Sequence, residues 1–150
     1  MRALIQRVER ALVRVVDDRA GSRTVGEIGS GLCAFVGVTH DDDEVSARKL
    51  ADKIWHLRVF DDHDGVMNRA LSDGCGDVLV VSQFTLYGDA SKGRRPSWIA
   101  AARPEVAEPL VDVVVESLRG FGAHVETGRF RTEMRVELVN DGPVTVLIET

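Results

Sequence analysis

Three hydrogen-bonding side chains, Ser82, Gln83 and Thr85, crowd into one short stretch directly after the apolar run Val78-Leu79-Val80-Val81. Two hydroxyls and a carboxamide gathered at the end of a buried strand could hold and polarise an acyl group, and strand ends are where sites are often built. Thr85 has the best case as a nucleophile, but a hydroxyl without a base beside it attacks poorly. The four histidines, His40, His56, His63 and His124, are scattered, and none lies beside a marked nucleophile, so no histidine relay is expected. Two other readings of the stretch stay open. Thr85 is structural, or the backbone amides around Phe84 and Thr85 hold the carbonyl of an ester and the negative charge that develops on its oxygen.

A second motif, Val139-Asn140-Asp141-Gly142-Pro143-Val144-Thr145, offers chemistry of another kind. Gly142 has no side chain and Pro143 no amide donor, so the segment presents bare backbone. Met134, Val136 and Leu138 alternate with charged residues before it, and Val144, Val146 and Ile148 alternate after it, which predicts strands over 133–139 and 144–149 joined by a hairpin turn. No metal site is expected. Setting Gly65 of Asp61-Asp62-His63-Asp64-Gly65 at a calcium loop's invariant glycine puts Phe60 at the first ligand and Leu71 at the closing glutamate. Gly26, Gly29 and Gly31 have no helix start after them to receive a phosphate.

The elements that must position these motifs read as α+β. Residues 2–16 and 32–38 are apolar strands broken by Asp17-Asp18-Arg19-Ala20-Gly21-Ser22 and Gly29-Ser30-Gly31. Asp41 to Glu44 supply cap and first-turn carboxylates to a helix whose Ala47, Leu50, Ala51, Ile54 and Leu57 share a face. A second helix is predicted over 104–119, with Pro104 at its first position, Gly120 at its C-terminal cap and a stripe from Ala107 to Leu118. Pro109 predicts either a kink or a start near Glu108. Strands over 123–127, 133–139 and 144–149 complete one domain, residues 1–150, without regular βαβ alternation.

A net charge of −5, from 24 acidic and 19 basic residues, argues against a broad basic face for nucleic acid. Any RNA contact must be local, and Lys92-Gly93-Arg94-Arg95-Pro96-Ser97-Trp98 is the candidate, with a solvated surface loop as the alternative. Cys33 and Cys75 form no Cys-x-x-Cys pair and read as free thiols of a reducing compartment. Early charges interrupt any signal-peptide core and no run approaches a membrane span, so a soluble cytoplasmic protein without membrane contact is expected.

Ser82-Gln83-Phe84-Thr85-Leu86 and Asn140-Asp141-Gly142-Pro143-Val144-Thr145 together resemble the two signatures of the D-aminoacyl-tRNA deacylase (D-tyrosyl-tRNA deacylase) family. The resemblance extends through Leu4-Ile5-Gln6-Arg7-Val8, Gly65-Val66-Met67-Asn68, Lys92 to Ser97, and Thr127-Gly128-Arg129-Phe130. It implies a compact α+β domain with packed sheets in a barrel-like core and two main helices, assembled as a homodimer with sites at the interface. It also implies an esterase that frees D-amino acids, and misattached glycine, from the 3′ end of aminoacyl-tRNA without a cofactor; the lack of a visible base in the sequence fits a hydroxyl of the terminal ribose helping to activate water. On this pattern Ser82, Gln83, Phe84 and Thr85 take the catalytic positions, and Phe130 and Met134 the adenosine pocket. Gly142 and Pro143, through a cis bond, form a backbone wall that enters the partner's pocket and excludes L-residues, with Arg7 as its brace. Val66, where a lysine is common, and Arg131-Thr132-Glu133, where smaller residues are usual, depart from the pattern. A non-catalytic dimer that binds or protects the tRNA 3′ end is the alternative.

Overall fold

Long apolar alternation makes long strands here. The computed structural model describes residues 1–17 and 21–150; residues 18–20 of the expected first turn lie outside that range. The order is β1 (Arg2–Asp17), β2 (Gly21–Ile28), β3 (Gly31–Gly37), α1 (Glu44–Trp55), β4 (Phe60–Asp61), β5 (Met67–Arg69), β6 (Asp77–Ser82), α2 (Pro104–Gly120), β7 (Val125–Thr127) and β8 (Met134–Glu149). The main sheet runs β2-β1-β3-β6-β7, with β8 added along β1. The N-terminal half of β1 lies between β3 and β8, and its C-terminal half between β2 and β8. The sheet curls until β2 passes close to β7: a Cβ on Gly26 would stand 2.7 Å from the carbonyl oxygen of Thr127. The result is a nearly closed barrel in one α+β domain, with β4 and β5 as a separate small ribbon.

The two sheet faces bury different cores. Ala3, Ile5, Leu32, Ala34, Val36, Val78 and Val80 meet the apolar faces of α1 and α2. Val8, Ala11, Val13, Cys33, Leu79 and Val81 fill the barrel interior with Met134, Val136 and Leu138. Along β1 the buried positions change parity between Ile5 and Ala11, where the pairing with β8 is irregular. β8 inverts in the same place, since Met134, Val136 and Leu138 point into the barrel while Val144, Val146 and Ile148 point at the helices. Because neighbouring side chains on a strand alternate faces, an irregularity is what allows one strand to serve both cores.

This corrects the expected hairpin. Residues 134–140 and 145–149 pair successively with the same strand in the same direction, Val139 opposite Arg10 and Thr145 opposite Gln6. The Asn-Asp-Gly-Pro segment is therefore a bulge within one strand. The α+β order has no regular βαβ alternation, as expected, but it contains two parallel crossovers: β3, β6 and β7 are mutually parallel, with α1 and α2 in the connections between them. The long segments 56–76 and 83–103 between helix and strand obscure that pattern in the sequence.

Helix α1 is capped by the Asp43 carboxylate, which accepts from the Ser46 amide at 2.8 Å. Helix α2 begins at Pro104, not near Glu108, with Pro109 inside it. Glu105, whose carbonyl loses its partner to Pro109, is exposed, so water can replace the missing amide. Its C-terminal stop is Gly122 rather than Gly120: φ is +100°, and the amides of Gly122 and Ala123 return to the carbonyls of Arg119 and Leu118 at 2.9 and 3.0 Å. No helix among the described residues is long and apolar enough to cross a membrane.

Candidate active site

The chain leaves β6 at Ser82 and is fixed at once, because the Gln83 amide donates to the Val36 carbonyl of β3 at 2.7 Å. A tight 3-10 turn over Phe84–Tyr87 follows. As the first residues of that turn, Phe84 and Thr85 have amides without an acceptor inside it. Arg2 braces the turn from β1, its Nη1 donating to the Leu86 carbonyl at 3.0 Å while its guanidinium lies 4.6 Å from the Tyr87 ring centroid.

Ser82, Gln83 and Phe84 line a cavity of about 520 Å³ at the ends of β3 and β6, and Phe130 and Met134 line it as well. Val81, Val136 and Ala102 add apolar lining, and Trp98 closes the rim against Phe84, the two rings edge to face at 5.5 Å. The cavity is mostly apolar, with its polar residues in two pairs, Ser82-Gln83 and Arg131-Thr132, the composition of a small-molecule pocket. Thr85 is absent from the lining, and its hydroxyl accepts a hydrogen bond from the Gln83 side-chain amide. An amide is no base in either orientation. None of the four histidines lines the cavity, and among the described residues Arg131 is the one ionisable side chain that does. Arg131 holds φ at 56°, an uncommon left-handed conformation for a side chain of this size.

The second motif lies elsewhere on the same chain. Residues 141–144 bulge out opposite Arg7, and Asn140 ties the neck, its Nδ2 donating to the carbonyls of Arg7 and Val144, both at 2.9 Å. Asp141, Gly142 and Pro143 are exposed, Gly142 has φ +115°, and the Gly142–Pro143 bond is cis. Arg7 is the one buried charged residue among those described. Its Nε lies 3.1 Å from an Asp141 carboxylate oxygen, and its Nη1 donates to the Val59 carbonyl at 2.6 Å, with Asp61 at 3.4 Å. The guanidinium thus joins the bulge to the segment after α1. A Cβ on Gly142 would meet Arg7 Nη2 and Val144 Cγ2, each at 2.8 Å.

Neither Arg7 nor the bulge borders the cavity of its own chain. Arg7 is in register with Leu32, which is in register with Val78, while Ser82 ends β6. The offset from β8 to Ser82 is three strand spacings across, roughly 14 Å, and four residues along, roughly 13 Å. The chain brings Ser82, Gln83, Phe84, Phe130 and Met134 together and leaves Arg7, Gly142 and Pro143 apart. Among the lining residues that the sequence did not point to are Trp98 at the rim, Ala102, Val136, Arg131 and Thr132. Their only sequence signal is proximity to the motifs.

Asp62, His63 and Asp64 hold potential ligand atoms within 4.8 Å of one another. The Asp62 carboxylate already accepts from the amides of Val66 and Asp64, each at 3.0 Å, which holds its carboxyl below the usual range and accounts for it as a turn residue.

The family model described as D-Tyr-tRNA(Tyr) deacylase matches residues 4–149. A D-aminoacyl-tRNA deacylase of Streptomyces avermitilis is 59% identical, over 99% of each chain. One of Symbiobacterium thermophilum is 56% identical over 100% of this chain and 96% of its own. A solved structure of the c-Myc DNA Unwinding Element Binding Protein superposes with a TM-score of 0.90 at 34% identity, covering 100% of this chain and 99% of that one. With both motifs in place and similarity running end to end, the chain belongs to the D-Tyr-tRNA(Tyr) deacylase family.

Proposed function

We propose that this protein hydrolyses the ester linking a D-amino acid to the 3′-terminal adenosine of tRNA, and clears misattached glycine by the same reaction. The observation that carries the reading is the cavity walled by Ser82–Phe84 and Phe130–Met134, mostly apolar and without a carboxylate or imidazole. Phe130 and Met134 pack the adenosine, and the ester carbonyl points at the amides of Phe84 and Thr85. Those donors stabilise the oxyanion as water adds, the largest single term in many acyl-transfer reactions. A ribose hydroxyl vicinal to the ester orients and activates the water, so the protein needs no base and no cofactor. Ser82 and Gln83 fix the acyl group, and the Gln83–Thr85 hydrogen bond holds the turn in shape.

Chirality is read by exclusion. The exposed backbone of Gly142 and Pro143 stands beside the substrate α-carbon, leaving room for hydrogen but not for a side chain on that side. The bulge is remote from its own cavity, so a second copy of the chain supplies it, and each site of a homodimer holds one chain's cavity and the other's bulge. Arg7 and Asn140 keep that backbone in place. The dimer works in the cytoplasm, where Cys33 and Cys75 remain the free thiols seen here.

Ester release from D-tyrosyl-tRNA at catalytic protein concentration tests the activity. Many turnovers per chain, with L-tyrosyl-tRNA spared, are expected. Stoichiometric protection of the ester would instead identify a binder of the tRNA 3′ end.

A further inference from the structure

The segments that wall the cavity carry an unbalanced charge. Between Gln83 and Pro104 lie Lys92, Arg94, Arg95 and Arg103 against a single carboxylate, Asp89, and between Gly128 and Met134 lie Arg129 and Arg131 against Glu133. This excess stands out in a chain whose net charge is −5. Among the described residues, arginine–carboxylate pairs engage Arg2, Arg7, Arg10, Arg14, Arg48 and Arg119, none of them from these two segments. Asp89, itself exposed, is engaged within its own turn: its carboxylate accepts from the Ser91 amide at 2.8 Å, and its backbone pairs with Ser97 at 2.9 and 2.7 Å. That pairing closes the loop that carries Lys92, Arg94 and Arg95.

The loop stands on the cavity rim. Gly88 lies directly under the Trp98 ring, where a Cβ would come within 2.4 Å of the indole, and Trp98 borders the cavity. Trp98 is 43% and Phe84 55% exposed, so an open aromatic pair shares its segment with the exposed Lys92, Arg94 and Arg95. Cations that follow a backbone next to aromatic faces that accept bases are the elements of single-strand nucleic-acid binding. A duplex would require the broad basic face that this composition denies.

We propose that Lys92, Arg94 and Arg95, with Trp98 as a stacking face, form a track for the single-stranded nucleotides that immediately precede the terminal adenosine. The track rests on the deacylase reading and adds to it the means by which an acidic protein holds a polyanionic substrate. Phosphates lie against the three cations, and the strand passes over the indole into the cavity. Discrimination of the amino acid stays in the cavity, while the track contributes affinity common to all tRNAs.

The test compares two esters, D-tyrosyl-tRNA and D-tyrosyl-adenosine, the second lacking phosphates. In a Lys92→Glu/Arg94→Glu/Arg95→Glu variant, kcat/KM on the tRNA ester should fall at least tenfold, while cleavage of the adenosine ester stays within twofold. The dependence of log kcat/KM on log salt should flatten by about 0.7 for each phosphate that the variant no longer neutralises. Lys49→Glu on α1 changes charge away from the rim and should leave both reactions within twofold. Arg94→Gln, a milder change, should cost threefold or more on the tRNA ester alone. Equal loss on both esters, or tRNA cleavage within twofold in both loop variants, would overturn the track. Should the wild-type protein cleave neither ester, the deacylase reading fails by itself. The track is then judged by fluorescence anisotropy with a short single-stranded RNA ending in adenosine, where the triple variant should bind at least tenfold more weakly and equal binding would refute it.

Discussion

At the scale of single residues, Thr85 shows how geometry separates two chemistries that the sequence leaves open. Its hydroxyl is outside the cavity lining and receives a hydrogen bond from Gln83, so nothing is placed to take its proton. Thr85→Val should therefore keep most ester cleavage, whereas a substrate lacking the ribose 2′-hydroxyl should be cleaved at least a hundredfold more slowly, as single-turnover rates would show. A folded Thr85→Val protein that binds but does not cleave would restore the nucleophile. Cys33 is a second residue whose environment sets its behaviour. Burial between β1 and β6 pushes its thiol up from 9.0 to about 12. Below pH 9 both folded and unfolded chains keep this proton; above it the unfolded chain loses the proton first, so stability falls as pH rises towards 12. By pH 10.5 that single group should remove about 2 kcal/mol relative to pH 8. Denaturant titrations at the two pH values should show a drop smaller by that amount in Cys33→Ala.

The bulge is the element on which the proposed site depends, and it is only half legible in the sequence. Alternation over Met134–Leu138 and Val144–Ile148 marks strands correctly, but it describes a hairpin and a bulged single strand equally well, because both begin and end extended. What distinguishes them is the partner: β1 is long enough to pair with both halves, and its own parity change between Val8 and Ala11 matches that of β8. The strand-end motif at Ser82 is readable because an uninterrupted apolar run followed by polar side chains has few other solutions. The rest of the cavity lining is not, since Ala102, Trp98 and Arg131 reach it through folding of segments that carry no periodic pattern. Within the bulge, Asn140 spans the neck with two donated hydrogen bonds. Asn140→Asp places an acceptor against those same carbonyls and should cost about 2–3 kcal/mol. Gly142→Ala forces a side chain into φ +115° and against the buried Arg7 guanidinium, a further strain on the order of 1–3 kcal/mol. Both substitutions should cut D-ester cleavage at least tenfold in proteins that still show the native far-ultraviolet dichroism at 20 °C, and thermal melts would give the stability losses.

At the scale of the whole molecule, the two motifs on opposite parts of one barrel make sense if the functional unit contains two chains. A closed C2 pair is the commonest assembly of identical subunits, and it makes every cavity–bulge contact occur twice. The proposed trans arrangement can be separated from a site built within one chain by mixing two defective proteins. Ala102→Trp fills the cavity but leaves the bulge intact, and Gly142→Val damages the bulge but leaves the cavity open. Each homodimer should be inactive. In a mixed dimer, the intact cavity of the Gly142→Val chain faces the intact bulge of the Ala102→Trp chain, and one working site returns. Random exchange makes about half of all dimers mixed, each with one good site of two, so activity should recover to about a quarter of the wild-type level. If cavity and bulge served the same chain, every site in the mixture would keep one defect and no activity would return. Co-refolding the two variants, confirming mixed dimers by native mass spectrometry and then measuring D-tyrosyl-tRNA cleavage decides between these arrangements.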